Sequence, residues 1–70
     1  MSWKEHLTKE GFTYSEDSKE WVKGLGWGSS VRVYAVVKGL FEIIKDNEVF
    51  YSDFVGSFNE FKELIKKATL

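Results

Sequence analysis

The sequence contains no cysteine and only one histidine, and these absences exclude several ways of stabilising or equipping a small protein. Disulfides and thiolate zinc sites need cysteine, and a single histidine leaves too few nitrogen ligands for a metal site. We therefore expect no metal and no cofactor. The 70 residues are enough for one small domain, 1–70, which must draw its stability from an apolar core.

Strong net charge and long uninterrupted apolar runs are also absent. The formal charge is −1, so no overall field attracts nucleic acid or anionic lipid, although a local patch acts within a Debye length. Arg32, Lys38 and Glu42 interrupt the longest apolar stretch, Val31 to Ile44, which is too short and too charged to cross a bilayer. Residues 1–11 lack the apolar segment of a signal peptide. We expect a cytoplasmic protein with no membrane contact.

What the sequence does have is apolar and aromatic residues, at 43% and 17% of the chain. Aromatic side chains remove large areas from water, so they are expected to supply the core. The alternative interpretation is that twelve aromatic residues exceed what so small a core can enclose, which would leave some exposed to a partner. The candidate core aromatics are Trp3, Phe12, Trp21, Phe41, Phe50, Phe54, Phe58 and Phe61.

Two segments carry the same signal for the start of a helix. Ser2 and Ser57 are each followed three residues later by a glutamate, Glu5 and Glu60. This spacing is a capping box, in which the two side chains satisfy backbone N–H groups at the helix start. It predicts one helix from Trp3 to about Glu10, ended by Gly11 in the left-handed conformation, and a second from Phe58 to about Ala68.

The middle of the chain fits two secondary structures. Six apolar residues between Val33 and Ile44 match a helical stripe, but the same stretch alternates with period two. Its β-branched residues and the central Gly39 favour strands over a helix. The segment 45–48 has turn chemistry, and 49–54 alternates again. Lys38-Gly39 is either a two-residue reversal or a bulge.

The glycine-rich stretch GLGWGSS, 24–30, has two interpretations. A phosphate-binding loop would lead into a helix, whereas this one leads into a predicted strand and matches no nucleotide-binding motif. We interpret it as a strand connector in which glycines supply positive φ angles. An earlier hairpin is predicted to pair residues 12–14 with 20–23.

The predicted fold class is α+β. An N-terminal helix precedes an antiparallel sheet of three to five strands, and a C-terminal helix follows it. Both helices are expected on one sheet face, which leaves the other face solvated or available to a partner.

Residues that could perform catalysis are few. His6 could act as a general base, but no Ser or Asp partner is evident. The carboxylates near Glu16 and Asp46 are typical of solvated turns, and a glycosidase-type pair needs a cleft that a domain of this size rarely holds. We therefore predict no enzymatic activity.

Binding is the remaining class of function, and two hypotheses stand. The first is an interaction or regulatory module that docks an unidentified protein or associates with its own copy. The second is a single-stranded nucleic-acid binder in which Arg32, Tyr34 and Lys38, with Trp21 or Lys23, share one sheet face. The candidate binding residues are Trp21, Trp27, Arg32, Tyr34 and Lys38.

Overall fold

The computed structural model describes residues 2–70, which fold into two helices and one five-stranded sheet. The strands run in the order β1-β2-β3-β4-β5, each antiparallel to the next. The α+β class and the element order are as predicted from the sequence. The elements are α1 (Trp3–Lys9), β1 (Thr13–Ser15), β2 (Glu20–Gly26), β3 (Ser29–Val37), β4 (Leu40–Lys45), β5 (Glu48–Phe54) and α2 (Phe58–Ala68).

Serine caps begin both helices, as the sequence predicts. The hydroxyl of Ser2 accepts from the backbone N–H of Glu5, and that of Ser57 accepts from Glu60, both at 3.2 Å. The second half of the predicted capping box differs at α2, because the Glu60 carboxylate accepts from the N–H of Gly56 at 3.0 Å and not from that of Ser57. The caps therefore fix where each helix starts.

Gly11 ends α1 in the left-handed conformation, with φ of +92°. Its N–H donates to the carbonyl of Thr8, and the N–H of Phe12 donates to that of Leu7. These two bonds form a Schellman motif, which brings Leu7 and Phe12 together in the core. The motif turns the chain directly from α1 into β1.

Both helices cover the same face of the sheet. The odd-numbered residues from Val31 to Ala35 on β3 and from Phe41 to Lys45 on β4 point toward them, because side chains alternate along a strand. The core holds no buried polar side chain among residues 2–70. The buried residues are Leu7, Phe12, Val31, Val33, Phe41, Ile43, Phe61, Ile65 and Ala68.

Two of the predicted core aromatics lie outside this core. Phe50 and Phe54 are exposed on β5, whereas Trp3, Trp21 and Phe58 are half-buried against the core. The prediction for Phe54 is wrong because Phe54 pairs with Leu40 and so lies on the sheet face away from the helices, and that for Phe50 is wrong because Phe50 is the extra residue of a bulge between Val49 and Tyr51.

The hairpin turns are set by residues with positive φ. Asp46 and Asn47 have φ of +51° and +67° between the paired residues Lys45 and Glu48, which is the pattern of a type I′ turn. Lys38 and Gly39 form the two-residue reversal between β3 and β4, with Gly39 at φ of +82°. A bulge lies beside this reversal, between Ala35 and Val37. None of the helices in residues 2–70 has both the length and the hydropathy needed to cross a membrane.

The Asp46 carboxylate joins two turns at one end of the sheet. Its Oδ1 accepts from the Ser29 hydroxyl at 2.6 Å and from the Ser30 N–H at 3.1 Å. These bonds, together with Lys45, hold the pKa of the Asp46 carboxyl below its usual value. Asp46 therefore stays ionised in the folded chain at a pH where it would begin to protonate in the unfolded chain.

Replacement of this carboxylate should change how stability depends on acid. Because the folded-state pKa of Asp46 is lowered, its ionisation stabilises the fold above about pH 4, and this stability is lost as the pH falls through the folded-state pKa. We expect Asp46→Asn to flatten the fall in unfolding free energy below pH 4, measured by urea denaturation. Asp17→Asn in the exposed β1–β2 turn is the control, and an equal flattening by both variants would contradict this role.

Candidate docking surface

The sheet face opposite the helices, called the open face here, is formed by the residues that alternate with the core positions. Strand register places Val22, Arg32, Ile44 and Val49 in one row across four strands. A second row contains Tyr34, Glu42 and Ser52, and a third pairs Leu40 with Phe54. No helix covers these rows, since α1 and α2 both pack on the other side.

Apolar side chains dominate the part of the open face on β4 and β5. Val49 is 64% exposed and Phe54 is 61% exposed, whereas Leu40 and Ile44 are half-buried between the strands. The outer face of an antiparallel sheet is usually polar. Here two apolar pairs, Ile44 with Val49 and Leu40 with Phe54, lie on either side of the polar pair Glu42 and Ser52. Exposed apolar area bordered by polar residues is typical of interaction sites.

Two bulges flank β4 and enlarge this apolar area. In β3 the residues Val36 and Val37 together oppose Leu40, and in β5 Val49 and Phe50 together oppose Ile44. A bulge sets two residues against one on the neighbouring strand. In both cases the two residues are apolar and exposed.

The open face carries charges of both signs, and its one arginine is occupied. Arg32 lies 3.6 Å from the Glu20 carboxylate and donates to the side-chain oxygen of Asn47 at 3.2 Å. Glu42 lies in the central row, between Tyr34 on β3 and Ser52 on β5. The face therefore presents an internally paired cation, one further carboxylate and two neighbouring hydroxyl groups.

The predicted grouping of Arg32, Tyr34 and Lys38, with Trp21 or Lys23, on one sheet face is not what the structure has. Trp21 pairs with Val33 and Lys23 with Val31, so both lie on the helix side. Lys38 lies in the β3–β4 turn beside a groove that Trp3 and Lys4 also line. Of the five candidates, only Arg32 and Tyr34 share the open face. The register shift between Gly24 and Gly26 changes which side chains of β2 face the helices, compared with the alternation expected from the sequence alone.

Trp21 belongs to an aromatic cluster on the helix side. Its ring lies 6.3 Å from the ring of Trp3 and 5.2 Å from that of Tyr14. These rings, with Lys4 and Lys19, line a shallow surface groove. The Lys23 ammonium group donates to the carbonyl of Glu10 at 2.6 Å. Glu10 lies at the C-terminal end of α1, where the helix dipole favours a cation. Both residues thus have packing roles that hold α1 to β2.

Trp27 occupies the tip of the β2–β3 hairpin and is fully exposed. Trp27 and Gly28, with φ of +56° and +79°, connect the paired residues Gly26 and Ser29. The glycine-rich stretch is therefore a strand connector with positive-φ glycines, as interpreted from sequence. A bulky residue with φ above zero is rare and strained. Stability would favour another residue here, so the exposed indole is a second candidate contact.

The residues considered for catalysis, His6 and the carboxylates, make contacts within the fold. His6 packs edge-on against Phe58 at 5.7 Å and Phe61 at 6.3 Å. Glu20 pairs with Arg32, and Asp46 bonds to the β2–β3 hairpin. Within residues 2–70, no group of three or more His, Cys, Asp or Glu side chains is arranged to hold a metal ion.

The apolar residues of β4 and β5 are the part of the open face that the sequence did not single out. The alternation over 49–54 predicts a strand, but the bulge at Val49 and Phe50 changes the phase within it. One signal in the sequence could have identified this surface: the stretch 36–54 contains more apolar residues than one face of a strand pair can bury.

Comparison with family models, with curated proteins and with solved structures gives no match to the chain. The function is therefore argued from the geometry of its own residues.

Replacement of Trp27 should reveal the strain at the hairpin tip. Asn accepts the left-handed conformation of a type I′ turn, and Asn-Gly is a preferred pair there. We expect Trp27→Asn to raise the free energy of unfolding by about 1 kcal/mol, measured by urea denaturation. Trp27→Ala should change stability much less, because Ala lacks the short polar side chain with which Asn hydrogen-bonds locally at positive φ. Destabilisation by Trp27→Asn would mean that the indole makes a stabilising contact within the chain.

Proposed function

We propose that this chain is an intracellular, cytoplasmic interaction module that acts by docking a protein on its open face, without catalysis. The observation that carries the proposal is the exposed apolar area of β4 and β5. Its residues Val49 and Phe54 are more than half exposed in a chain that has few residues with which to build a core. Leaving such area in water forgoes about 25 cal/mol per Å². A partner that covers it would recover this free energy.

The chemistry of the open face supports a protein partner. Apolar and aromatic side chains at the centre of an interface supply most of the binding free energy, and polar groups at the rim set orientation. The apolar pairs Ile44–Val49 and Leu40–Phe54 provide such area. Glu20 and Arg32 lie beside the first pair and provide orienting groups. Glu42 lies between the two pairs, so a partner must offer its carboxylate a hydrogen-bond donor.

The alternative function, binding of single-stranded nucleic acid, has less support. It needs cations that can meet phosphates beside rings that stack on bases. Arg32 is already paired with Glu20 and bonded to Asn47, and Lys38 lies in a turn away from Tyr34. The exposed area of β4 and β5 is aliphatic as much as aromatic, which suits a protein surface better than bases.

A photo-reactive amino acid on the open face should capture the partner. We expect p-benzoylphenylalanine in place of Phe54 to form a covalent adduct on irradiation in the native cells. Tyr14 is the control, because it is an exposed aromatic residue on the helix side, 44% exposed against 61% for Phe54.

The adduct should depend on the apolar area and not only on proximity. Val49→Lys in the Phe54 photo-reactive variant should abolish it, because an ammonium group would be buried against the partner. Capture from Tyr14 alone, or capture that persists with Lys at position 49, would contradict docking through the open face.

Titration with labelled oligonucleotides tests the alternative function. Phosphate contacts weaken steeply as salt rises, so a nucleic-acid binder would bind at low salt and release at high salt. We expect no binding of single-stranded DNA or RNA at 20 mM salt, measured by fluorescence anisotropy. Salt-dependent binding that Arg32→Gln reduces would instead favour the nucleic-acid function.

A further inference from the structure

We infer that a groove on the helix side of the sheet binds an extended acidic segment of another protein, as a second docking site. Two depressions of about 460 Å³ and about 570 Å³ share Trp3, Lys4 and Ala35, and together they form this groove between the start of α1 and the end of β3. The inference goes beyond the proposed function, because the groove shares no residue with the apolar pairs of the open face.

The charge of the groove is of one sign and opposite to that of the chain. Its charged lining residues are Lys4, Lys19 and Lys38, and among residues 2–70 no aspartate or glutamate lines either depression. The whole chain has 11 acidic and 10 basic residues, so this excess of cations is local. In the same residues the ion pair joins Arg32 to Glu20, and none of the groove lysines is paired with a carboxylate. The groove therefore complements a segment that carries several carboxylates.

The walls of the groove are aromatic. Trp3 lines both depressions, and its ring lies 6.3 Å from that of Trp21 and 5.0 Å from that of Phe41. The interplanar angles are 71° and 80°, so the rings form walls and not a platform. Walls of this kind pack against an apolar side chain, whereas successive nucleobases need exposed ring faces on which to stack. The geometry therefore favours a peptide over single-stranded nucleic acid.

The edge of β3 offers backbone groups to an extended segment. The pairing of β2 with β3 stops at Trp21 and Val33, and β3 continues past it. The backbone of Ser30 bonds on the β4 side, where its carbonyl accepts from the Asp46 N–H at 3.0 Å. Because hydrogen-bonded positions alternate along an antiparallel pair, the N–H and C=O of Ala35 point the other way, toward the groove. No strand in residues 2–70 pairs with Ala35 on that side, so an added peptide strand has backbone partners there.

Lys19 adopts an unfavourable backbone conformation at the rim of the groove. It has φ of +56° in the turn between β1 and β2, a conformation that glycine and asparagine adopt more readily. Local stability therefore does not explain a lysine at this position. A role for its ammonium group in binding does, since Lys19 lines the groove.

Selection from a phage-displayed library of random octapeptides on the immobilised chain tests the inference. We expect the enriched peptides to be acidic, with an aromatic or aliphatic residue between carboxylates. A fluorescein-labelled peptide of the enriched sequence should bind at 20 mM salt and weaken as salt rises, measured by fluorescence anisotropy, because salt screens exposed charges. Failure to enrich any peptide, or enrichment only of peptides without acidic residues, overturns the inference. A single-stranded oligonucleotide that displaces the enriched peptide would assign the groove to nucleic acid and overturn it as well.

Matched lysine variants test the location of the peptide. Lys4 lies 5.6 Å from the Trp3 ring in the groove, and Lys62 lies 5.3 Å from the Phe58 ring outside it. Lys4→Glu should weaken peptide binding on the order of tenfold, because it sets a carboxylate against those of the peptide. Lys62→Glu makes the same change in net charge and should leave the affinity within about twofold. Equal weakening by both variants would mean that the peptide responds only to net charge, which overturns the groove as its site.

Lys19→Gly separates binding from folding. Glycine accepts the positive φ at this position, so the variant should unfold at the same urea concentration as the original chain or a higher one. It should nevertheless bind the peptide about threefold more weakly, because one exposed ion pair is lost. Peptide affinity that Lys19→Gly leaves unchanged would contradict the placement of the peptide in the groove.

The groove and the open face are distinguishable in cells because different residues control them. Tyr14 lines the groove, so an adduct from p-benzoylphenylalanine at this position belongs to the groove if Lys4→Glu abolishes it and Val49→Lys does not. An adduct from Phe54 should show the reverse dependence. Loss of one adduct without the other overturns the corresponding site alone.

Discussion

The structure depends on one constraint: two short helices must cover the core on one face of a five-stranded sheet. Seven and eleven helical residues cover one face, and the buried cluster lies entirely between them and that face. Period-two alternation then fixes the consequences, since every core residue on β3 and β4 has a neighbour pointing the other way. An open face therefore follows from the position of the core, whereas the residue types on that face are free to vary without changing the core.

That composition is what separates this chain from an ordinary two-layer domain. An outer face made of charged and small polar residues would need no partner. Here Glu20 and Arg32 pair on β2 and β3, and on β4 and β5 two exposed apolar pairs lie on either side of Glu42 and Ser52. The bulges on either side of β4 add exposed apolar residues at its two ends. At the hairpin tip, Trp27 likewise presents an apolar side chain to solvent at positive φ, where local stability disfavours it.

Features that depend on residues close together in the chain were predictable from the sequence. Features that depend on strand register were not. Ser57 and Gly11 mark helix ends through bonds made within a few residues, so both ends were predictable. The strands over 31–54 were predictable because β-branched residues and Gly39 oppose a helix despite the helical spacing. The side on which Trp21 lies was not, because the register shift at Gly24 and Gly26 depends on the whole hairpin. For the same reason, Phe54 was assigned to the core and the apolar row of β5 was missed as a surface.

Both helices lie on one face of the sheet and leave the other uncovered by the chain's own elements. NOE contacts between helix and sheet test this arrangement most directly. We expect Phe61 and Ile65 of α2 to show NOEs to Val33 and Ile43, and neither helix to show any to Leu40, Ile44 or Val49 within the same chain. NOEs from either helix to Ile44 or Val49 would place a helix over the open face and contradict this arrangement.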